Sequence, residues 1–244
     1  MDLSVIVDNL PRFASGAWIT VQLTALAVLL GLVLAVPVAL ARLSPNPLLS
    51  WPAYAYMFYF RGTPLLVQIF LIYYGSGQFV PELRAVGLWP FFREPYFCPV
   101  LTLTQNTGAY TAEILRGAIQ AVPFGEVEAG RAFGMSRTLI LRRIILPKAF
   151  RLALPAYTNE VIFLFQATSL VSIITIMDLT GVGRVIIAET FRTFEVWIFV
   201  GLCYLVMSYG ILYLFKRLEY RLSGHLRESP AAPAAPVQEA LAVR

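Results

Sequence analysis

The sequence predicts an all-α membrane protein with five transmembrane helices, and three observations predict it. Apolar residues make up 58% of the 244-residue chain and charged residues only 14%, against about a quarter charged in a typical soluble domain. Five nearly charge-free windows are long enough to cross a bilayer core, which takes ~20 helical residues. The 19 lysines and arginines then divide very unequally between the two faces those windows define.

Residues 13–41 are free of charge, and Trp18–Leu40 predicts the first span. The run from Ser44 to Pro52 (SPNPLLSWP) is rich in proline and predicts a loop or a kinked interfacial segment. Ala53–Phe60 joined to the charge-free stretch from Gly62 to Pro81 predicts the second span, with Thr63-Pro64 fixing a helix start. Pro95–Ala112 gives the third span, extending toward Ala121 with Glu113 and Arg116 one turn apart near one end. Leu152–Met177 gives the fourth, interrupted only by Glu160, and Val196–Phe215 the fifth. Residues 1–16 read as a segment outside the membrane. They carry Asp2 and Asp8 but only Arg12 as a base, which does not suit a cleaved signal peptide. Residues 17–222 form the membrane domain, and the Ala/Pro-rich residues 223–244 read as a disordered tail.

Five spans place the termini on opposite faces. One face holds Arg12, Arg84, Arg93, Arg184 and Arg192, and the other holds the remaining 14 bases. The richer face is cytoplasmic by the positive-inside rule, so the N-terminus lies outside and the C-terminus inside. The basic excess follows from this asymmetry and does not point to nucleic acid. Asp178, Glu189 and Glu195 fall on the outer side, as solvated charges or as a docking surface.

Much enzymatic chemistry is excluded by what is missing. Cys98 and Cys203 lack disulfide or metal spacing, and His225 is the single histidine. No phosphate-binding loop of the form G-x-x-x-x-G-K-[ST] occurs, no H-E-x-x-H zinc motif occurs, and no two aspartates share the spans. Neither a metal nor a cofactor is expected.

The charge in the chain concentrates in a cassette over residues 123–150, EVEAGRAFGMSRTLILRRIILPKA within it. Glu126 and Glu128 suit the first turn of a short helix to Phe133. Gly134 breaks that helix, and Ser136 is placed to cap a second one from Arg137 to Ile145, which Pro147 stops. This predicts a helix–Gly–helix elbow at the inner membrane surface. From the pattern alone, it is equally a basic loop holding anionic headgroups.

The motifs resemble a known family. Glu128-Ala129-Gly130, then Gly134, then Ile144, Leu146 and Pro147 match the spacing of the cytoplasmic EAA loop of permeases from bacterial ABC importers, with Gly130 in place of its second Ala. RGTPLLVQ (61–68), AYTAEILRGAI (109–119) and TSLVS (168–172) are similar to the branch for polar amino acids, which includes permeases for histidine, arginine, lysine, ornithine, octopine and nopaline. The resemblance implies a type I (MetI-like) importer permease core in the bacterial inner membrane. The expected partners are a cytosolic ATPase dimer, a second permease subunit, an extracytoplasmic solute-binding protein, membrane lipid and a polar amino acid. Glu128, Ala129, Gly130, Gly134, Ile144, Leu146 and Pro147 would couple to the ATPase. The substrate path would draw on Glu160, Gln166, Thr168 and Ser169. Related permeases carry a Lys–acid pair where this chain has Gln166 and Ala167, which suits a heterodimer whose sister holds the main site. Glu160 is a functional candidate as an ionisable group inside a span, or else a structural partner of Asn159 or a backbone amide. Glutamine, glutamate or cystine transport is the alternative within the family; a non-transporting scaffold is the alternative outside it.

Overall fold

A computed structural model describes residues 4–222, and among these the secondary structure is helical throughout. The predicted tail 223–244, His225 included, lies outside the described residues. After a short turn at Ser4–Asp8, α1 runs from Leu10 to Arg42, ~50 Å at 1.5 Å per residue, so it overruns a ~30 Å hydrocarbon core. The second span is broken. Helix α2 (Pro47–Gly62) and α3 (Leu65–Ser76), the latter continuing in short turns to Ala85, meet at an angle of 105° across Thr63-Pro64. Helix α4 (Phe97–Gln120) is ~36 Å long.

Two short helices follow, α5 (Phe124–Ala132) and α6 (Arg137–Ile140). A π turn over Leu141–Ile145 leads into α7 (Leu146–Ala167), and a 3₁₀ run, Thr168–Ile174, ends that span. Helix α8 (Leu179–Thr190) is too short to cross a bilayer, and α9 (Thr193–Leu222) is the last span.

Among the described residues three helical runs are long and apolar enough to cross by themselves: Leu10–Arg42, Arg137–Ile174 and Thr193–Leu222. The bent pair makes a fourth. Helix α4 is long enough for a fifth, but its hydropathy is low because Thr102, Thr104, Asn106, Thr107 and Thr111 are buried on it. Polar side chains at membrane depth face the protein interior, so a polar α4 marks the centre of the subunit. Its packing agrees. Gly31 of α1 lies so close to α4 that a Cβ there would come within 2.5 Å of Thr107 Cγ2. Small residues at such a seam let backbones approach closely, and Ala35, Ala39, Ala112, Ala118, Ala149 and Ala153 extend it toward the charged cassette. Helix α9, by contrast, buries only Val196 and Val200 along its 30 residues.

Three sequence expectations change. The run Ser44–Pro52 is helical from Pro47, because Pro47 stands in the first turn, where a missing N–H costs nothing, and Asn46 Oδ1 accepts from Leu48 N at 3.0 Å. The second span is not a single rod. Pro147 does not stop the cassette helix: over Leu141–Ile145 the ladder widens, Leu146 N–H reaching Leu141 O, and the helix runs on through the proline. A π turn relieves the ring that would otherwise press on the preceding turn.

Candidate functional site

Two features stand apart from the helical frame: the elbow of α5 and α6, and a cavity at the break between α2 and α3. Each is built from local chain chemistry.

In the elbow, α5 ends in a Schellman motif. Met135 N donates to Gly130 O at 3.1 Å and Gly134 N to Arg131 O at 2.9 Å. The motif requires a left-handed residue, and Gly134 supplies it with φ +74°. Ser136 Oγ then accepts from Leu139 N at 3.3 Å and starts α6. Gly130 is buried where the two legs touch: an added Cβ would lie 2.9 Å from Ile144 Cδ1 and 3.3 Å from Ile140 Cγ1. Lys148, at the base of α7, forms a salt bridge with Glu126 and ties the first leg to the span. Glu128 and Ala129 remain exposed, as do Phe124 and Phe133, the latter 88% accessible. Leu146 instead lines a small cleft with Val36 and Leu40 of α1 and Leu115 of α4. The elbow thus exposes Glu128, the guanidinium groups of Arg131, Arg137, Arg142 and Arg143, and two aromatic rings on a hinge packed against the spans.

At the break, Gln68 is 1% accessible and turns back toward the chain it has just left. Its Nε2 donates to Phe60 O at 2.8 Å, to Thr63 O at 3.1 Å and to Thr63 Oγ1 at 2.8 Å. Phe60 O and Thr63 O are carbonyls that a continuous helix would have satisfied. Asn106 Nδ2 of α4 donates to Gln68 Oε1 at 3.0 Å and to Phe60 O at 3.2 Å. The carbonyls freed at the break are thus satisfied by protein side chains, as membrane depth demands.

Beside it opens a cavity of about 540 Å³ walled by Arg61, Thr63, Asn106, Tyr110, Glu160 and Ala167, among others. Glu160 Oε1 accepts from Thr107 Oγ1 at 3.0 Å, so the carboxylate is held by α4 and not by Asn159 or a backbone amide. Arg61 lies 5.6 Å over the Tyr110 ring and 3.6 Å from Glu113 Oε2. Glu113 also accepts from Arg116 at 2.7 and 3.0 Å, the i,i+3 pair expected from sequence.

The four predicted path residues are not gathered at one point. Glu160 faces the cavity, whereas Gln166 is exposed beyond it. Thr168 is fully buried, its hydroxyl on Phe165 O at 2.7 Å, and the Ser169 hydroxyl bonds to Gln166 O at 2.7 Å. Asp178 also departs from expectation: it is buried, and its Oδ1 caps α8 at Gly181 N, 2.8 Å away. Sequence reasoning missed Gln68, Asn106 and Thr107. The signal was available, since Gln68 is the lone strong polar group in LLVQIF and Asn106 and Thr107 interrupt a span.

A multi-span helical subunit with an open cleft that Arg61 and Glu160 line, and with an exposed elbow, has the form of an integral membrane transport component. The profile of the family described as "Binding-protein-dependent transport system inner membrane component" matches residues 27–224, and the chain belongs to that family. It is a permease subunit, and ATP is hydrolysed by a partner. The chain is 48% identical over 227 residues to the nopaline transport system permease protein of Agrobacterium fabrum, covering 93% of this chain and 94% of that one. It is 43% identical over 217 residues to the histidine/lysine/arginine/ornithine transport system permease protein of Escherichia coli K12, covering 88% and 90%. Among solved structures, an amino acid ABC transporter with histidines superposes with TM-score 0.79 at 36% identity, covering 91% of this chain and 99% of that one. An inward-facing methionine transporter superposes at TM-score 0.72 and 21% identity over 88% and 98%, a likeness of fold alone.

Proposed function

We propose that this permease admits polar amino acids with cationic side chains, or opines, and that Glu160 is the group that attracts the cation. The observation carrying the reading is a carboxylate held by Thr107 at the wall of a cavity of about 540 Å³, next to a broken helix. An ionisable side chain at membrane depth is costly and is retained for function by default. The names of the relatives, which speak of nopaline and of histidine, lysine, arginine and ornithine, support the same class. Gln166 and Ser169 would extend the path outward from Ala167, with Thr168 bracing it from inside. Since this chain has Gln166 and Ala167 in place of a Lys–acid pair, the working unit is a heterodimer with a second permease. A binding protein delivers substrate from outside, where the N-terminus lies. The elbow residues Glu128, Ala129, Gly130, Gly134, Ile144, Leu146 and Pro147 carry motion from the ATPase dimer into α7, with which the second leg is continuous. Residues 17–222 constitute the transporting domain in this reading.

The test is substrate-stimulated ATPase of the reconstituted complete importer. Glu160→Gln raises the apparent KM for arginine about tenfold, the scale of a lost charge-assisted bond, and leaves unstimulated ATPase in place. Equal KM in both proteins would reject Glu160 as the cation site. Stimulation by glutamine, glutamate or cystine, with none by arginine, would move the chain to the neutral or acidic branch.

A further inference from the structure

A second cavity, about 390 Å³, lies on the other side of Arg61, between α2 and the ends of α1 and α4 nearest the cassette. Its charged lining is Arg42, Arg61, Arg116 and Glu113, three guanidinium groups against a single carboxylate. Glu113 is committed to Arg116 at 2.7 Å and leans on Arg61 at 3.6 Å. Arg42 sits 5.0 Å over the ring of Tyr54. Within a membrane, a net surplus of two cations at one concavity calls for an anion.

The flank of the cavity says which kind. Trp51, Tyr54 and Phe58 follow one another along one face of α2, with ring centroids 6.3 and 5.9 Å apart, and all three are exposed, Trp51 and Phe58 by about 70%. A free anion would have no use for this apolar ridge. A lipid needs both parts, its phosphate among the arginines and its glycerol and acyl chains against the aromatics. We infer that the Arg42–Arg61–Arg116 cavity binds the phosphate of an anionic phospholipid, phosphatidylglycerol in type, with an acyl chain along Trp51, Tyr54 and Phe58. The inner leaflet as its source rests on the orientation proposed above; the binding itself does not. One consequence is a lipid seated against Arg61, which with Gly62 also lines the Glu160 cavity.

The experiment is native mass spectrometry of the purified complete importer after equilibration with vesicles of equal phosphatidylglycerol and phosphatidylcholine. Wild type retains phosphatidylglycerol in preference. Arg42→Gln weakens that preference about fivefold, the worth of one arginine at an anionic surface, while Arg42→Lys preserves it. Glu113→Gln removes the competing carboxylate, so retention holds or rises. An unchanged preference in Arg42→Gln overturns the site, as does reduced retention in Glu113→Gln, which would make the cluster an internal pairing only. Displacement of the lipid by millimolar inorganic phosphate would make it a soluble-anion site instead. Loss of the second permease from Arg42→Gln, with lipid unchanged, would make it a subunit contact and also overturn the proposal. The readout needs no uptake, so it stands or falls separately from Glu160 and the transported substrate.

Discussion

Asn106 Nδ2 donates to Gln68 Oε1 at 3.0 Å, bridging α4 and the helix that restarts after the 105° bend. The two amides leave few choices for the broken strand of backbone between them. Gln68 spends its donors on the Phe60 and Thr63 acceptors, and its own acceptor is taken by Asn106. Because Asn106 also reaches Phe60 O, the pair clamps the last turn of α2 and the first of α3 to one point on the central helix.

Gln68→Leu keeps the volume and removes the four bonds that Gln68 makes, leaving only that from Asn106 to Phe60 O. It should destabilise the solubilised subunit by about 1–3 kcal/mol, the cost of stranding buried polar groups, read as a lower melting temperature. In a double-mutant cycle with Asn106→Leu, the coupling should be about 0.6 kcal/mol and at most about 1.7, the average and the upper end for interhelical bonds in membranes. A Gln68→Leu protein as stable as wild type would show that the bend is fixed by packing alone.

Gly130 is where the chain departs from its family's loop pattern, and the geometry supplies a reason. Its Cα faces Ile144 and Ile140 across the elbow, so the missing methyl allows the two legs to close on each other. Gly130→Ala needs Ile144 Cδ1, the end of a flexible side chain, to move and Ile140 Cγ1 to give by a few tenths of an ångström, and it gains up to ~1 kcal/mol of helix propensity. Coupled ATPase should stay within about threefold of wild type, since the opposing terms nearly cancel. Gly130→Leu must push apart Ile144, Ile140 and Met135 together, and coupled ATPase should be lost while insertion persists. Normal coupling in Gly130→Leu would mean the legs need not touch.

The elbow was legible because its signals are local. Glu126 and Glu128 in a first turn, Gly134 at a break and Ser136 at a cap each act within four residues. The charge-free windows marked the spans for the same reason. What stayed hidden depends on contacts distant in sequence. Thr63-Pro64 announces a helix start, but the 105° angle is set by Gln68 and Asn106 on different helices. Pro147 read as a stop, because a widened turn five residues long leaves no mark in the sequence. Glu160 was visible as a lone charge, whereas Thr107, which holds it, lies 53 residues away. Asp178 looked like a solvated outer acid, and only the packing of α8 shows it as a buried cap.

Gly134 tests conformation apart from bulk. Nothing lies within 4 Å of where its Cβ would stand, so space is not the constraint; the φ of +74° is. An L-residue there costs about 1–2 kcal/mol, least for asparagine and most for a β-branched side chain. Coupled ATPase in the complete importer should therefore fall in the order Gly134→Asn, Gly134→Ala, Gly134→Val. A series that instead tracked side-chain volume, with Ala above Asn, would remove the backbone explanation.

The end of the fold where α1 begins offers a pH test. Arg12 meets Glu189 through two bonds, Nη1 to Oε2 at 2.7 Å and Nη2 to Oε1 at 3.0 Å, linking the start of α1 to α8. Hydrogen bonding from Arg12 holds the Glu189 carboxyl below the usual carboxylate range. A lowered value in the folded state means the contribution is complete above the ordinary glutamate pKa of about 4.3. It is lost as pH falls through the lowered value, because protonation then breaks the pair. The melting temperature of wild type minus that of Glu189→Gln should thus be positive at neutral pH and shrink to zero in acid. Both side chains are about half exposed, so the difference should be small and should also shrink in high salt. A difference that grows on acidification would reverse the sign and show that the ionised pair does not stabilise this end of the protein.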